Sequence, residues 1–155
     1  MPPELTTFLL GTTPVGEIRA AILWGMTFGN LSSAEALFYG FWGNVLATVL
    51  VVLFLPKVAE FARQHFHLLD RILQKIFAKT RKKHSKKFLR FAELSLIILV
   101  AIPLPGSGCY TGALVAWLFG VKPKTAIALI SLGIFFAGII VLGLTNGMIA
   151  FAKSF

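Results

Sequence analysis

Glu17 and Arg19 are the residues best placed to do chemistry. They sit in Thr13-Pro14-Val15-Gly16-Glu17-Ile18-Arg19, between apolar flanks. Ionisable groups at bilayer depth are costly and face a partner or a water-filled cavity. Burial favours the neutral carboxyl while a nearby guanidinium favours the charged one, so Glu17 is suited to exchanging a proton. Arg19 can hold an anionic head group or substrate through its planar fork. The competing structural roles are a helix N-terminal cap for Glu17 and snorkelling to the interface for Arg19. A second concentration lies at Pro103-Leu104-Pro105-Gly106-Ser107-Gly108. This break frees backbone amides and starts a half-helix near Cys109, an end that favours anions. Ser107 and Thr111 can add hydrogen bonds. The competing reading is a hairpin whose glycines permit tight packing. The candidate substrate or ion site is therefore Glu17, Arg19, Pro14, Pro103, Pro105, Gly106, Ser107, Gly108 and Thr111.

Other chemistry is weakly represented. No nucleophile–base pair or metal cluster is visible, so neither an enzyme nor a cofactor or metal is expected. His65 and His67 are two apart and cannot share a helix face. Glu93 reads as a partner for Arg90 or a lysine. The single cysteine, Cys109, excludes an intramolecular disulfide and reads as a small packing residue.

The elements that position these residues belong to a membrane protein. The chain has 155 residues, 57% of them hydrophobic and 14% charged, and a mean hydropathy of +0.83. The apolar residues form long continuous blocks, so helices rather than a barrel satisfy the backbone. The N-terminus lacks a basic region ahead of an apolar core and does not read as a cleavable signal peptide. Segments 4–12 and 20–29 are apolar but too short to span. Asn30 to Ser33 reads as a turn and N-cap, with Glu35 in the first turn of a spanning helix from Ala34 to Leu55 that Pro56 and Lys57 end. Phe61, His65, Leu68, Leu69, Ile72, Leu73, Ile76 and Phe77 then recur at helical spacing opposite charged residues, predicting an amphipathic helix.

Eleven of the 15 basic residues lie between Lys57 and Arg90. The positive-inside rule makes this connector cytoplasmic. Its run Arg81, Lys82, Lys83, Lys86 and Lys87 is suited to anionic lipid. No aromatic-interleaved platform accompanies it, so nucleic acid is not an expected partner in spite of the net charge of +9. Segments 92–102 and 109–119 are short and apolar again, and 125–151 is the second spanning candidate.

The two halves share one plan. Pro14 precedes Gly29 by 15 residues and Pro105 precedes Gly120 by 15, a common shift of 91. Arms of about 11 residues reach roughly 16 Å, half the hydrocarbon depth. A reversal at each break returns Lys122 and Lys124 to the cytoplasm, in keeping with the charge rule. The expected fold is all-α: two inverted repeats (4–56 and 92–152), each a re-entrant helical hairpin plus one transmembrane helix, joined by the basic amphipathic cytoplasmic helix 57–91. Gly133, Gly138 and Gly143 allow close helix approach, compatible with a homodimer.

Two motifs resemble a known family. Pro14-Val15-Gly16-Glu17-Ile18-Arg19-Ala20-Ala21-Ile22 resembles the Pro-x-x-Glu-Leu-Arg-Gly-Ala-Ile-Pro motif of the small multidrug export proteins. Ala101-Ile102-Pro103-Leu104-Pro105-Gly106-Ser107-Gly108-Cys109-Tyr110-Thr111-Gly112 resembles their Ala-Ile-Pro-Leu-Pro-Gly-Thr-Gly-Ala-Trp-Thr-Gly. Leu23 stands where the first motif has proline. That family is distantly similar to the DedA/VTT membrane proteins. The resemblance implies a transporter in the inner membrane of a prokaryote, exporting a small or anionic substrate, and the balance of burial and Arg19 at Glu17 suits proton coupling. The alternatives are a DedA-like flippase or scramblase for an anionic lipid such as polyprenyl phosphate, and a non-transporting membrane-organising protein.

Overall fold

The computed structural model describes residues 1–65, 86–102, 108–152 and 154. Every element among them is a helix. Two short helices, α1 (Pro3–Thr12) and α2 (Glu17–Thr27), precede the long α3 (Ser33–His65). In the second half, α4 (Lys86–Ala101) and α5 (Cys109–Leu118) precede the long α6 (Pro123–Ala152). The sequence pattern locates both long helices. Stretches of each, Ser33–Ala62 and Pro123–Ala152, are apolar enough to cross a membrane, with 18-residue windows of mean hydropathy 2.1 and 2.7. A 30-residue stretch is about 45 Å long, more than a bilayer core of about 30 Å demands.

Local chemistry starts and stops these helices. Ser32 and Glu35 form a reciprocal capping box. The Ser32 N–H and hydroxyl donate to the Glu35 carboxylate at 2.9 and 2.7 Å, and the Glu35 N–H donates to the Ser32 hydroxyl at 3.3 Å. At the far end of α5, Gly120 takes φ +70 and the Val121 N–H donates to the Ala116 carbonyl at 2.9 Å. That is the left-handed termination glycine makes easy.

One expected boundary is corrected. Pro56 does not end the first long helix: α3 runs through it to His65. Proline removes one ladder donor and crowds the preceding turn, which weakens a helix without obliging it to stop. The apolar piece expected from residue 92 lies within α4, which already includes Lys86. Hydropathy marks where a helix enters lipid, whereas lysine, arginine and leucine all propagate a helix outside it. Most of the expected amphipathic connector, including His67, Arg81, Lys82 and Lys83, lies outside the described residues. Lys86 and Lys87 belong to α4.

Each long helix packs on the short helices of its own half through glycine. A Cβ on Gly43 of α3 would run into the Phe8 carbonyl of α1, and one on Gly11 would lie 2.6 Å from the Gly40 carbonyl. On α6, a Cβ on Gly133 would lie 2.8 Å from Val100 Cβ of α4. Small residues at such contacts let helix backbones approach without a hydrophobic driving force. A Cβ on Gly25 would lie 3.0 Å from the Thr7 hydroxyl, so α2 folds back along α1. Gly138, one of the glycines with an expected packing role, faces Leu37 and Ile18 of the other half, while Gly143 has open space around it. The long helices run antiparallel. Ser33 meets Asn146 at 3.3 Å, and Phe41 meets Phe135 with ring centroids 6.1 Å apart.

Burial is distributed as a lipid solvent requires. The outward faces carry Leu50, Leu53, Phe54, Phe136, Ile139 and Leu144, all exposed. Among the described residues five polar or ionisable ones are buried instead: Thr7, Glu17, Asn44, Thr48 and Thr145. In water this arrangement would expose a large contiguous apolar surface.

Candidate functional site

The site forms where the start of α2 meets the start of α5. The chain leaves α1 through a compact turn in which the Thr13 hydroxyl donates to the Leu10 carbonyl at 2.7 Å and the Glu17 N–H donates to the Thr13 carbonyl at 3.1 Å. This turn delivers Glu17 with φ +49, a left-handed conformation that a residue with a side chain rarely adopts. Holding it costs on the order of 1–3 kcal/mol and persists only where surrounding contacts enforce it.

Those contacts come from the other half of the chain. Glu17 is 8% exposed. Its carboxylate lies against Gly108 and faces the backbone N–H groups of Cys109 and Tyr110, and the Cys109 thiol donates to Oε1 at 3.9 Å. The N-cap of α5 is Gly108, which makes no side-chain capping bond. Glu17 therefore supplies the cap that α5 lacks, satisfying orphan donors at a helix end that favours negative charge. Gly108 makes the approach possible, because a Cβ there would fall on the carboxylate. Its backbone (φ −90, ψ −156) suits any residue, so the constraint is space alone.

A second bond runs the other way. The Tyr110 hydroxyl of α5 donates to the Thr12 carbonyl at 2.5 Å, closing one of the orphan acceptors at the end of α1. Each half thus completes a helix end belonging to the other. The expected alternative, Glu17 capping its own helix, is replaced: α2 starts from Gly16 with no side-chain cap.

α3 closes the site from behind. Gly40 packs on Ala21 and Ile18 of α2, and Thr48 lies beside the Cys109 sulfur while its hydroxyl donates to the Asn44 carbonyl at 2.8 Å. Asn44 lies on the same face, one turn from each. Cys109 is thus more than a space-filler, since it touches both Glu17 and Thr48. Arg19 interacts electrostatically with Glu17 and lines an open groove of about 380 Å³ between α2 and α6. Val15, Leu23, Val141, Leu144 and Met148 form its apolar walls, with Thr145 among them.

Of the residues expected from the sequence, the structure brings Glu17 and Gly108 into contact and places Arg19 beside them. Pro14 is exposed in the first turn, and Thr111 is partly buried in the first turn of α5. Pro103, Pro105, Gly106 and Ser107 lie outside the described residues. Asn44, Thr48, Tyr110 and the Thr12 carbonyl were not anticipated. A signal for two of them existed, because Asn44 and Thr48 are polar, four apart and set in the middle of an apolar span. No cluster of three or more His, Cys, Asp or Glu that could hold a metal occurs among the described residues.

A family model described as "Putative small multi-drug export protein" matches residues 17–140, a range that contains Glu17, Asn44, Thr48, Gly108 and Cys109. Searches of curated proteins and of solved structures gave no match.

Proposed function

The chain belongs to the small multi-drug export protein family, and from that premise we propose that it is a transporter whose site is the junction of the two chain breaks, with Glu17 as its ion-coupling carboxylate. The observation that carries the reading is a buried carboxylate fastened to a helix start of the opposite half. A carboxylate that holds two halves together when charged loses part of that hold when protonated, because a neutral acceptor makes weaker bonds. Protonation is then a means of loosening one half from the other, which is what alternating access needs.

In this reading the two halves are inverted repeats, each with a re-entrant hairpin. The antiparallel long helices and the folding back of α2 on α1 support that topology. Both chain ends then lie outside a prokaryotic inner membrane and the basic connector lies in the cytoplasm. A cysteine at Lys122 labels from the cytoplasm if so.

The test is reconstitution. Proteoliposomes with trapped pyranine report proton movement, with ethidium as a cationic probe and carboxyfluorescein as an anionic one. Probe-dependent proton movement that Glu17→Gln abolishes is the expected result. Equal movement in the folded variant contradicts it. The Arg19 groove supports a second reading, transfer of an anionic amphiphile with its head on Arg19 and its tail along Leu23, Leu144 and Met148. Gradient-independent movement of a labelled anionic lipid would favour that reading over the first.

A further inference from the structure

Asn44 is 1% exposed, and neither its Nδ2 nor its Oδ1 has a hydrogen-bond partner among the described residues. A buried carboxamide without partners is among the costlier features a membrane protein can carry, since hydrocarbon offers no substitute for water. Such a group in a native fold calls for an explanation, an unseen water or ligand foremost. Its place in the fold is specific. Gly40 before it touches α2 at Ile18 and Ala21, and Thr48 after it touches Cys109, the residue that also donates to Glu17. Asn44 is bracketed on that face, at the level where α2 and α5 begin. The Thr48 hydroxyl bonds the backbone carbonyl of Asn44 at 2.8 Å, which leaves the carboxamide itself uncommitted.

We propose that Asn44 is a binding residue of the junction, and that its carboxamide holds one hydroxyl-type oxygen, a water or a hydroxyl of the cargo, on the Glu17 side of α3. The chemistry selects this class. A carboxamide presents both donors and an acceptor. A bare cation would meet Oδ1 and leave Nδ2 unsatisfied. A bare anion would meet Nδ2, leave Oδ1 unsatisfied and crowd the Glu17 carboxylate. An oxygen carrying a proton satisfies both atoms, and a water keeps a second proton to donate onward to a carboxylate. The proposal deepens the reading of the junction as a transport site, yet its first test does not depend on transport.

That test is difference infrared spectroscopy of the full chain in lipid nanodiscs, comparing H2¹⁶O with H2¹⁸O. A buried, strongly hydrogen-bonded water gives an isotope-sensitive O–H band. The band is expected in the wild type and absent in Asn44→Leu, whose thermal midpoint should equal or exceed that of the wild type because an unpartnered amide is gone. This result supports the proposal even if no probe is transported, in which case only the transport reading falls. A cargo hydroxyl gives a different pattern: no water band in the wild type, but about a tenfold loss of probe-dependent proton movement in folded Asn44→Leu. No band in the wild type together with unchanged movement overturns the proposal, and so does a band that survives in the variant. If the leucine side chain prevents folding, Asn44→Ala adds no bulk and replaces it in both assays with the same outcomes.

Discussion

The two chain breaks that meet at the junction contribute opposite things. The first, between α1 and α2, is a closed turn that brings acceptors: the Glu17 carboxylate and the Thr12 carbonyl. The second, before α5, brings donors and room: the N–H groups of Cys109 and Tyr110, the Tyr110 hydroxyl and the bare Cα of Gly108. If the halves are repeats shifted by 91, as proposed above, Glu17 corresponds to Gly108. One half keeps a charge at that position and the other removes its side chain to receive it. The two halves are therefore complementary at the junction, and neither completes these helix ends alone.

This contrast can be broken most severely at the glycine that seats α1. A Cβ on Gly43 meets only backbone, the Phe8 carbonyl group and Gly11 Cα, so α1 must shift to make room. Gly43→Ala is expected to cost about 3 kcal/mol by chemical denaturation in micelles. Gly133→Ala in the second half meets mainly the Val100 side chain, and its loss should be smaller. Equal losses would mean that the halves are seated alike. The capping box affects only how α3 begins. Ser32→Ala removes it and should cost about 1 kcal/mol, with probe movement intact. Gly143→Ala should have the smallest effect. Nothing lies within 4 Å of its added carbon, and alanine favours a helix interior over glycine by about 0.5–1 kcal/mol. A thermal midpoint that falls instead would show that something packs on that face of α6.

The contrast also marks what was legible in the sequence. Both long helices, the Ser32–Glu35 start and the importance of Glu17 follow from apolar blocks, side-chain spacing and a charge set among apolar neighbours. The termination after α5 rests on Gly120 at φ +70, whereas the left-handed residue after α2 is Asn30 at φ +52 rather than Gly29. The partner of Glu17 does not follow. It lies on Cys109, 92 residues away, and spacing along a chain does not reveal which helix start will face a carboxylate in three dimensions. Pro56 misled because proline's cost to a helix is local, whereas an apolar helix in lipid has no alternative hydrogen-bond partners to adopt. Asn44 was overlooked because a lone amide within an apolar span carries no sign of whether its partners will be present.

The central claim is that the Glu17 carboxylate sits on Gly108 and caps α5 across the two halves. A double-mutant cycle of unfolding free energy in lipid-mimetic micelles tests it most directly. Gly108→Ala should strongly destabilise the wild type, because its methyl group displaces the carboxylate. In a Glu17→Ala background the same substitution should cost less than about one third as much, a coupling within the 0.5–3 kcal/mol seen for residues in contact. Additive losses, with Gly108→Ala equally harmful whether or not the carboxylate is present, would contradict the account.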